Sequence, residues 1–351
     1  MAQEAAVTAG PRSGARRQFL NDPDDVVAEA LEGFARAHSD LVRWNRDPSY
    51  VIRADHGAHG SKVGLVSGGG SGHEPLHTGF VGRGMLDAAV PGQVFTSPTA
   101  LQVAAATQAV DTGAGVVQIV KNYTGDVLNF RIAAEIAQDE GARVQQVLVD
   151  DDLATDPQLT GNPDGPGRRG TAAVVAVEKV CGAAAEAGAD VVEVAALGRR
   201  VASSARSLAV ALEAPAHPGR DRPSFDLGEH EVEFGVGIHG ERGVGRRPFA
   251  PAAELLPQLT APLVESLGLR RGDAALVIVN GLGSTHPLQL SLAYREVTRL
   301  LDGLGITTAR SLLGSYVTAL DMTGCSVTLV RLDDDLLRLW DAPVRTAALT
   351  W

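Results

Sequence analysis

Short aliphatic runs at 62–66, 116–120 and 144–149 alternate with helix-patterned segments, and this alternation limits the fold more than any other feature. A strand–helix–strand repeat lays strands side by side in a mostly parallel sheet, with helices covering both faces. Ligands of such sheets bind beyond the carboxyl ends of the strands. The loops that start at Ser67, Lys121 and Asp150 leave from those ends.

Around these runs the chain divides readily. Asn21-Asp22-Pro23-Asp24-Asp25 offers an N-cap, a proline and acids for a first turn, ahead of Val26, Val27, Leu31 and Phe34 at helical spacing. Another helix is expected over 128–138. Segment 155–170 holds Pro157, Gly161, Pro163, Gly165, Pro166 and Gly167, too many breakers for a regular element, and reads as a lid or a connection. Ala-rich helices are expected at 171–187 and 189–205. The second half shows strand patterns at 208–212, 232–238, 274–279, 306–312 and 327–332, with helices at 252–267 and 286–302. The expected fold is α/β: a loose arm over 1–18, then domains at 19–185 and 186–351, each with a mostly parallel or mixed sheet flanked by helices.

Composition excludes several classes. The chain has 351 residues, 44% hydrophobic and 21% charged, which suffices for a sizeable core. Its net charge of -11 lacks the basic footprint of a nucleic-acid binder. No apolar run approaches the roughly 18 residues of a membrane span, so no membrane partner is expected. Residues 1–18 lack the hydrophobic stretch of a secretory signal, and the reading is cytoplasmic. Cys181 and Cys325 have neither metal spacing nor a disulfide framework and read as small buried thiols.

Two histidines stand in unusual settings. Ser67-Gly68-Gly69-Gly70-Ser71-Gly72-His73-Glu74-Pro75 reads as a glycine turn after a strand, ending in His73. Gly235, Gly237 and Gly240 surround the strand-like run that stops at His239. Bare backbone beside imidazoles suits a small molecule gripped closely, since imidazole both moves protons and attacks carbonyls. The bland reading of His239 is a core histidine bonded to backbone. His73-Glu74-Pro75-Leu76-His77 matches the zinc-protease pattern H-E-x-x-H. Pro75 fits only the first turn of a helix, so His73 and His77 would share no helical face, and no metal is expected there. The glycines lack the Gly-Lys-Ser/Thr of a P-loop and the register of a dinucleotide turn. Lys121 and Asp126 bracket a loop at a strand end, as either a solvated ion pair or a site. Asp150-Asp151-Asp152 reads as a solvated strand exit before a cation site. The remaining histidines, 38, 56, 59, 217, 230 and 286, read as surface or packing residues.

The strings VSGGGSGHEP, GQVFTSPT, KNYTGDVLNF, DDDLA, GRRGTA, EFGVGIHGE and LLGSYVTALDMTG resemble the dihydroxyacetone kinase K subunit, over about 19–351. The resemblance implies a two-domain α/β homodimer that binds dihydroxyacetone as a covalent hemiaminal on a histidine. By match of motif that histidine is His239. His73 resembles the acid/base residue of hemiaminal formation, and Asp126 the base that deprotonates the phosphoryl-accepting hydroxyl. Gly70, Ser71, Gly72 and Lys121 would line the pocket, with Ser97 near it.

The family's nucleotide, ADP or ATP with Mg2+, sits on a separate helical L subunit, so no cofactor is expected on this chain. The GVGIHGE region looks more like members recharged from phosphoenolpyruvate through a phosphocarrier, with split ATP use as the alternative. Asn280-Gly281-Leu282-Gly283 departs from the family pattern, and the loop at 161–167 looks expanded. Another short sugar such as erythrulose, or a catalytically idle dihydroxyacetone sensor, are the other readings.

Overall fold

The computed structural model describes residues 18–58, 60–157, 167–220 and 222–351. Most of the expected N-terminal arm, the middle of the 155–170 segment and His59 lie outside the described residues. In chain order the first strands are β1 (Val42–Arg46), β2 (Ser49–Arg53), β3 (Gly64–Ser71), β4 (Gly82–Arg83), β5 (Ala88–Val94), β6 (Val116–Lys121) and β7 (Val144–Val149). All but β4 join one sheet in the order β1-β2-β5-β3-β6-β7. Its centre is parallel, as the strand–helix alternation requires, while the β1–β2 hairpin adds an antiparallel edge. Helices Ala100–Val110 and Thr124–Asp139 cover one face, and Ala173–Glu186 with Val191–Ser203 cover the other.

The second sheet holds β8 (Ala205–Glu213), β9 (Glu231–Phe234), β10 (Gly245–Pro248), β11 (Ala274–Gly281), β12 (Thr307–Gly314) and β13 (Thr323–Leu332). Its order is β10-β9-β8-β13-β11-β12, and only β11–β12 is a parallel pair. Helices Ala252–Leu267 and Pro287–Leu304 close its outer face. The inner faces of both sheets share one hydrophobic core. Helix Ala173–Glu186 runs through it, touching β3 and β6 on one side and β8 and β13 on the other. Every residue of that helix except Glu186 is buried. A short strand β14 (Arg345–Thr346) pairs with β4.

Three local expectations are corrected. The glycine run is not a turn but the second half of β3, paired with β5 from Gly68 to Ser71. Glycine serves close approach there: a Cβ at Gly68 would strike the Val90 carbonyl, and one at Gly70 the backbone of Phe95 and Thr96. The strand expected at 232–238 stops at Phe234, because Gly235 takes the left-handed φ of 71° and turns the chain. No helix starts at Pro75; only the short 3-10 turn Thr78–Phe80 follows. The backbone carbonyls of Gly72 and His73 are instead taken by the amides of Leu320 and Thr318, at 2.8 and 3.3 Å.

Candidate active site

The carboxyl ends of β3 and β6 converge with two segments from the second sheet. Lys121, the last residue of β6, is fully buried. Its ammonium donates to the Gly68 carbonyl at 3.1 Å, lies 3.1 Å from His77 Nε2 and 3.5 Å from Asp126 Oδ2. A Cβ at Gly69 would fall on that ammonium, so the bare strand makes the space the lysine occupies. Asp126 sits in the first turn of helix Thr124–Asp139, where the helix dipole favours a carboxylate. The Lys121–Asp126 pair is therefore a buried one and not a solvated surface pair. Asp126 Oδ1 is buried without a hydrogen-bond partner.

His73 follows the strand end. Its Nδ1 lies 2.7 Å from the Thr318 carbonyl, which can only accept, so Nδ1 holds the proton of the neutral ring. Nε2 is then a bare lone pair, buried and unpartnered. Burial foremost, then the nearby His239 and Lys121, hold His73 well below the ordinary histidine range. Asn280 fixes the Thr318 segment: its Oδ1 accepts from the amides of Tyr316 and Val317 at 2.8 and 2.9 Å.

The His239 ring stands 4.8 Å from that of His73, edge to face. Tyr123 meets it at 4.4 Å and Phe95 at 5.6 Å, while Phe95 also stacks on His73. Burial lowers His239 as well, with Glu241 opposing. The His239 amide donates to Glu241 Oε2 at 2.7 Å, and Glu241 Oε1 accepts from Arg169 at 2.9 Å. Arg169 also bonds Asp152 at 2.8 Å and the Gly235 carbonyl at 3.0 Å. One guanidinium thus ties the His239 turn of the second sheet to the end of β7 in the first.

The expected residues gather with differing roles. His73 stands ring to ring with His239, and Lys121, paired with Asp126, acts electrostatically on both. Gly70 and Gly72 bring backbone close to Phe95, and Gly72 takes a positive φ of 100°. Ser71 Oγ donates to the Gly92 carbonyl at 2.7 Å, so its hydroxyl is committed to β5. Ser97 packs on Gly125, one residue before Asp126. The acidic run has structural partners: Asp150 and Asp152 pair with Arg168 and Arg169, and Asp151 accepts from the Thr171 and Ala173 amides. Among the described residues no group of three His, Cys, Asp or Glu side chains is placed to hold a metal ion.

Sequence reasoning missed several neighbours. Phe95, Tyr123 and Thr318 lie inside the quoted strings, which was the available signal. His217, read as surface or packing, stands edge-on to Phe95 at 5.0 Å. Glu178, whose Oε1 lies 2.6 Å from His77 Nδ1, was signalled only as an acid beside Lys179 in an Ala- and Val-rich helix. No helix of the described residues is long and apolar enough to cross a membrane.

A family model described as the Dak1 domain matches residues 32–348. The chain is 43% identical over 359 aligned positions to the PEP-dependent dihydroxyacetone kinase, dihydroxyacetone-binding subunit DhaK, of Escherichia coli (strain K12), covering 95% of this chain and 99% of that one. It is 44% identical to the PTS-dependent dihydroxyacetone kinase 1, dihydroxyacetone-binding subunit DhaK, of Listeria innocua, with the same two coverages of 95% and 99%. Among solved structures, the dihydroxyacetone kinase operon co-activator Dha-DhaQ superposes with a TM-score of 0.85 at 32% identity, covering 91% of this chain and 96% of that one.

Proposed function

The chain belongs to the Dak1 family, and from that premise we propose that it is the dihydroxyacetone-binding subunit of a split kinase. It holds dihydroxyacetone as a hemiaminal on His239 and presents a hydroxyl for phosphorylation to dihydroxyacetone phosphate. The supporting observation is the pairing of His239 with a bare, buried Nε2 on His73.

A ring nitrogen of His239 attacks the ketone carbon, the C–N bond forms and the carbonyl π pair moves to oxygen. The imidazole gives up its N–H proton and the new alkoxide takes one up. His73 serves this exchange as a shuttle: its Nε2 lone pair accepts the imidazole proton and returns it to the alkoxide. A neutral His73 is the right starting form, and its low proton affinity favours release. With the ketone carbon fixed, one terminal hydroxyl faces Asp126 Oδ1, which takes its proton as the oxygen attacks phosphorus. Lys121 holds the carboxylate in place. Fixing the substrate in line is the main contribution available for phosphoryl transfer. Glycerol, lacking a carbonyl, cannot be held in this way.

The phosphoryl group comes from a partner. An L subunit carrying ADP or ATP with Mg2+ would dock at the open cleft beside His239, lined by Tyr123, Val127, Leu128, Arg131, Arg169 and Glu241. Leu128 is 45% exposed there and Ile132 lies one turn on, an apolar rim fit for a protein partner. The relatives' names favour recharging from phosphoenolpyruvate through a phosphocarrier over direct use of ATP. A homodimer in the cytoplasm, where phosphoenolpyruvate is made, fits this reading.

Likeness to an operon co-activator favours one other reading, a sensor that binds the ketone without phosphorylating it. Incubation with a cognate L subunit, phosphoenolpyruvate and its phosphocarriers separates the two. Product formation is expected, and a crystal soaked with dihydroxyacetone should show density continuous from His239. Binding without turnover would favour the sensor. A sugar lying unattached to His239 would overturn the hemiaminal.

A further inference from the structure

Behind the proposed base lies a chain of buried groups that the reaction above leaves unused. Glu178, on the helix between the sheets, has no exposed surface, and His77 is 5% exposed. Glu178 Oε1 lies 2.6 Å from His77 Nδ1, and His77 Nε2 lies 3.1 Å from Lys121 Nζ. An ammonium can only donate, so His77 Nε2 accepts and the His77 proton resides on Nδ1. Glu178 Oε1 must then accept in turn. The sense of every bond in Glu178–His77–Lys121 is fixed, and it runs toward Asp126.

The charge count shows what this line can do. At rest the Lys121 ammonium faces the Asp126 carboxylate across 3.5 Å. When Asp126 takes the substrate proton it becomes neutral, and a buried ammonium would lose its counter-charge at the moment of transfer. An uncompensated buried charge is costly, and the cost falls when hydrogen-bond partners hold it. We propose that Glu178, acting through His77, is the positioning residue that holds Lys121 against Asp126 while Asp126 takes the substrate proton. This rests on the reading of Asp126 as the base.

The surrounding charges are few. Burial raises Glu178, and Lys121 is the charge that opposes it. Burial lowers His77, with Lys121 and His73 adding to the effect. His73 and His239 face Lys121 across the pocket, and Asp126 faces it from helix Thr124–Asp139. On the Glu178 helix, Cys181 feels Glu178 and Arg199, while Lys179 turns away to the Leu339 carbonyl and feels Asp341. The Ser67 hydroxyl also acts on the Glu178 carboxyl, and a fully buried acid among apolar neighbours is a cost that packing alone does not explain.

The test is the pH profile of phosphorylation by wild type and Glu178→Gln with a cognate L subunit. The amide oxygen can still accept from His77, so the geometry survives while the ionisable group goes. The expected result is a kcat about 10-fold lower, KM within about twofold, and the alkaline limb of kcat moved down by about one pH unit. His77→Phe, which keeps Glu178 and removes both ring nitrogens, should move the limb the same way and decides the matter if Glu178→Gln does not fold. An alkaline limb unmoved in the folded variants overturns the inference alone. A wild type that binds dihydroxyacetone but forms no product overturns the kinase reading, and the inference with it.

Discussion

His73 and His239 stand 4.8 Å apart and are held in opposite ways. The His73 ring is locked by its bond to Thr318, which assigns each nitrogen one state. His239 is held by its backbone, through Glu241 and Arg169, while aromatic edges alone steady its ring. Among the described residues no hydrogen bond reaches that ring. A proton shuttle must keep one lone pair aimed at one place. A nucleophile must be free to change its bonding as a covalent bond forms. The difference supports the proposed division of work between the two imidazoles.

The comparison breaks first at His239. His239→Ala should lower phosphorylation with a cognate L subunit by about 10⁴-fold, the loss of fixed positioning. Its preference for dihydroxyacetone over glycerol should vanish at the same time. A variant that still discriminates sharply would give the nucleophile's role to another group. His73→Asn sharpens the contrast, since the amide can still donate to the Thr318 carbonyl but offers no base. Adduct formation followed in a rapid-mixing experiment should slow about 10²-fold while final occupancy barely changes. Reduced occupancy at an unchanged rate would reverse the assignment.

The smallest effect is on stability. Burial depresses His73 and His77, so the folded protein binds their protons less readily than the unfolded chain. Their neutral forms cost nothing above the ordinary histidine value, and stability is lost as pH falls through about 6.5. Each such proton contributes a slope of up to about 1.4 kcal/mol per pH unit. Denaturant melts at a series of pH values should show His73→Asn with a shallower slope below about pH 6.5 than wild type. An identical slope would mean that His73 titrates normally in the folded state.

Part of this was legible in the sequence. β7 and helix Ala252–Leu267 match their expected bounds, because a run of Val and Leu or a helical repeat survives any neighbour. The β1–β2 hairpin was not expected: Arg43, Asn45 and Arg46 dilute its apolar signal, and its pairing is made by backbone. The glycine run misled because glycine favours turns locally, whereas its use here is set by Val90, Lys121 and Phe95 arriving from elsewhere. In the site, His73, Lys121, Asp126 and His239 each end or follow a recognisable string. The bond between His77 and Glu178 joins residues 101 positions apart, and no local spacing encodes it.

Helix Ala173–Glu186 has no side left on which to vary. At Gly182 a single methyl would collide with the backbone of Gly84 and Met85, and one at Gly198 of the next helix would strike the Cys181 sulfur. Every substitution along it answers to two sheets at once. A map of tolerated changes would be narrowest here, and halves exchanged between relatives would have to bring their own matching version of this helix.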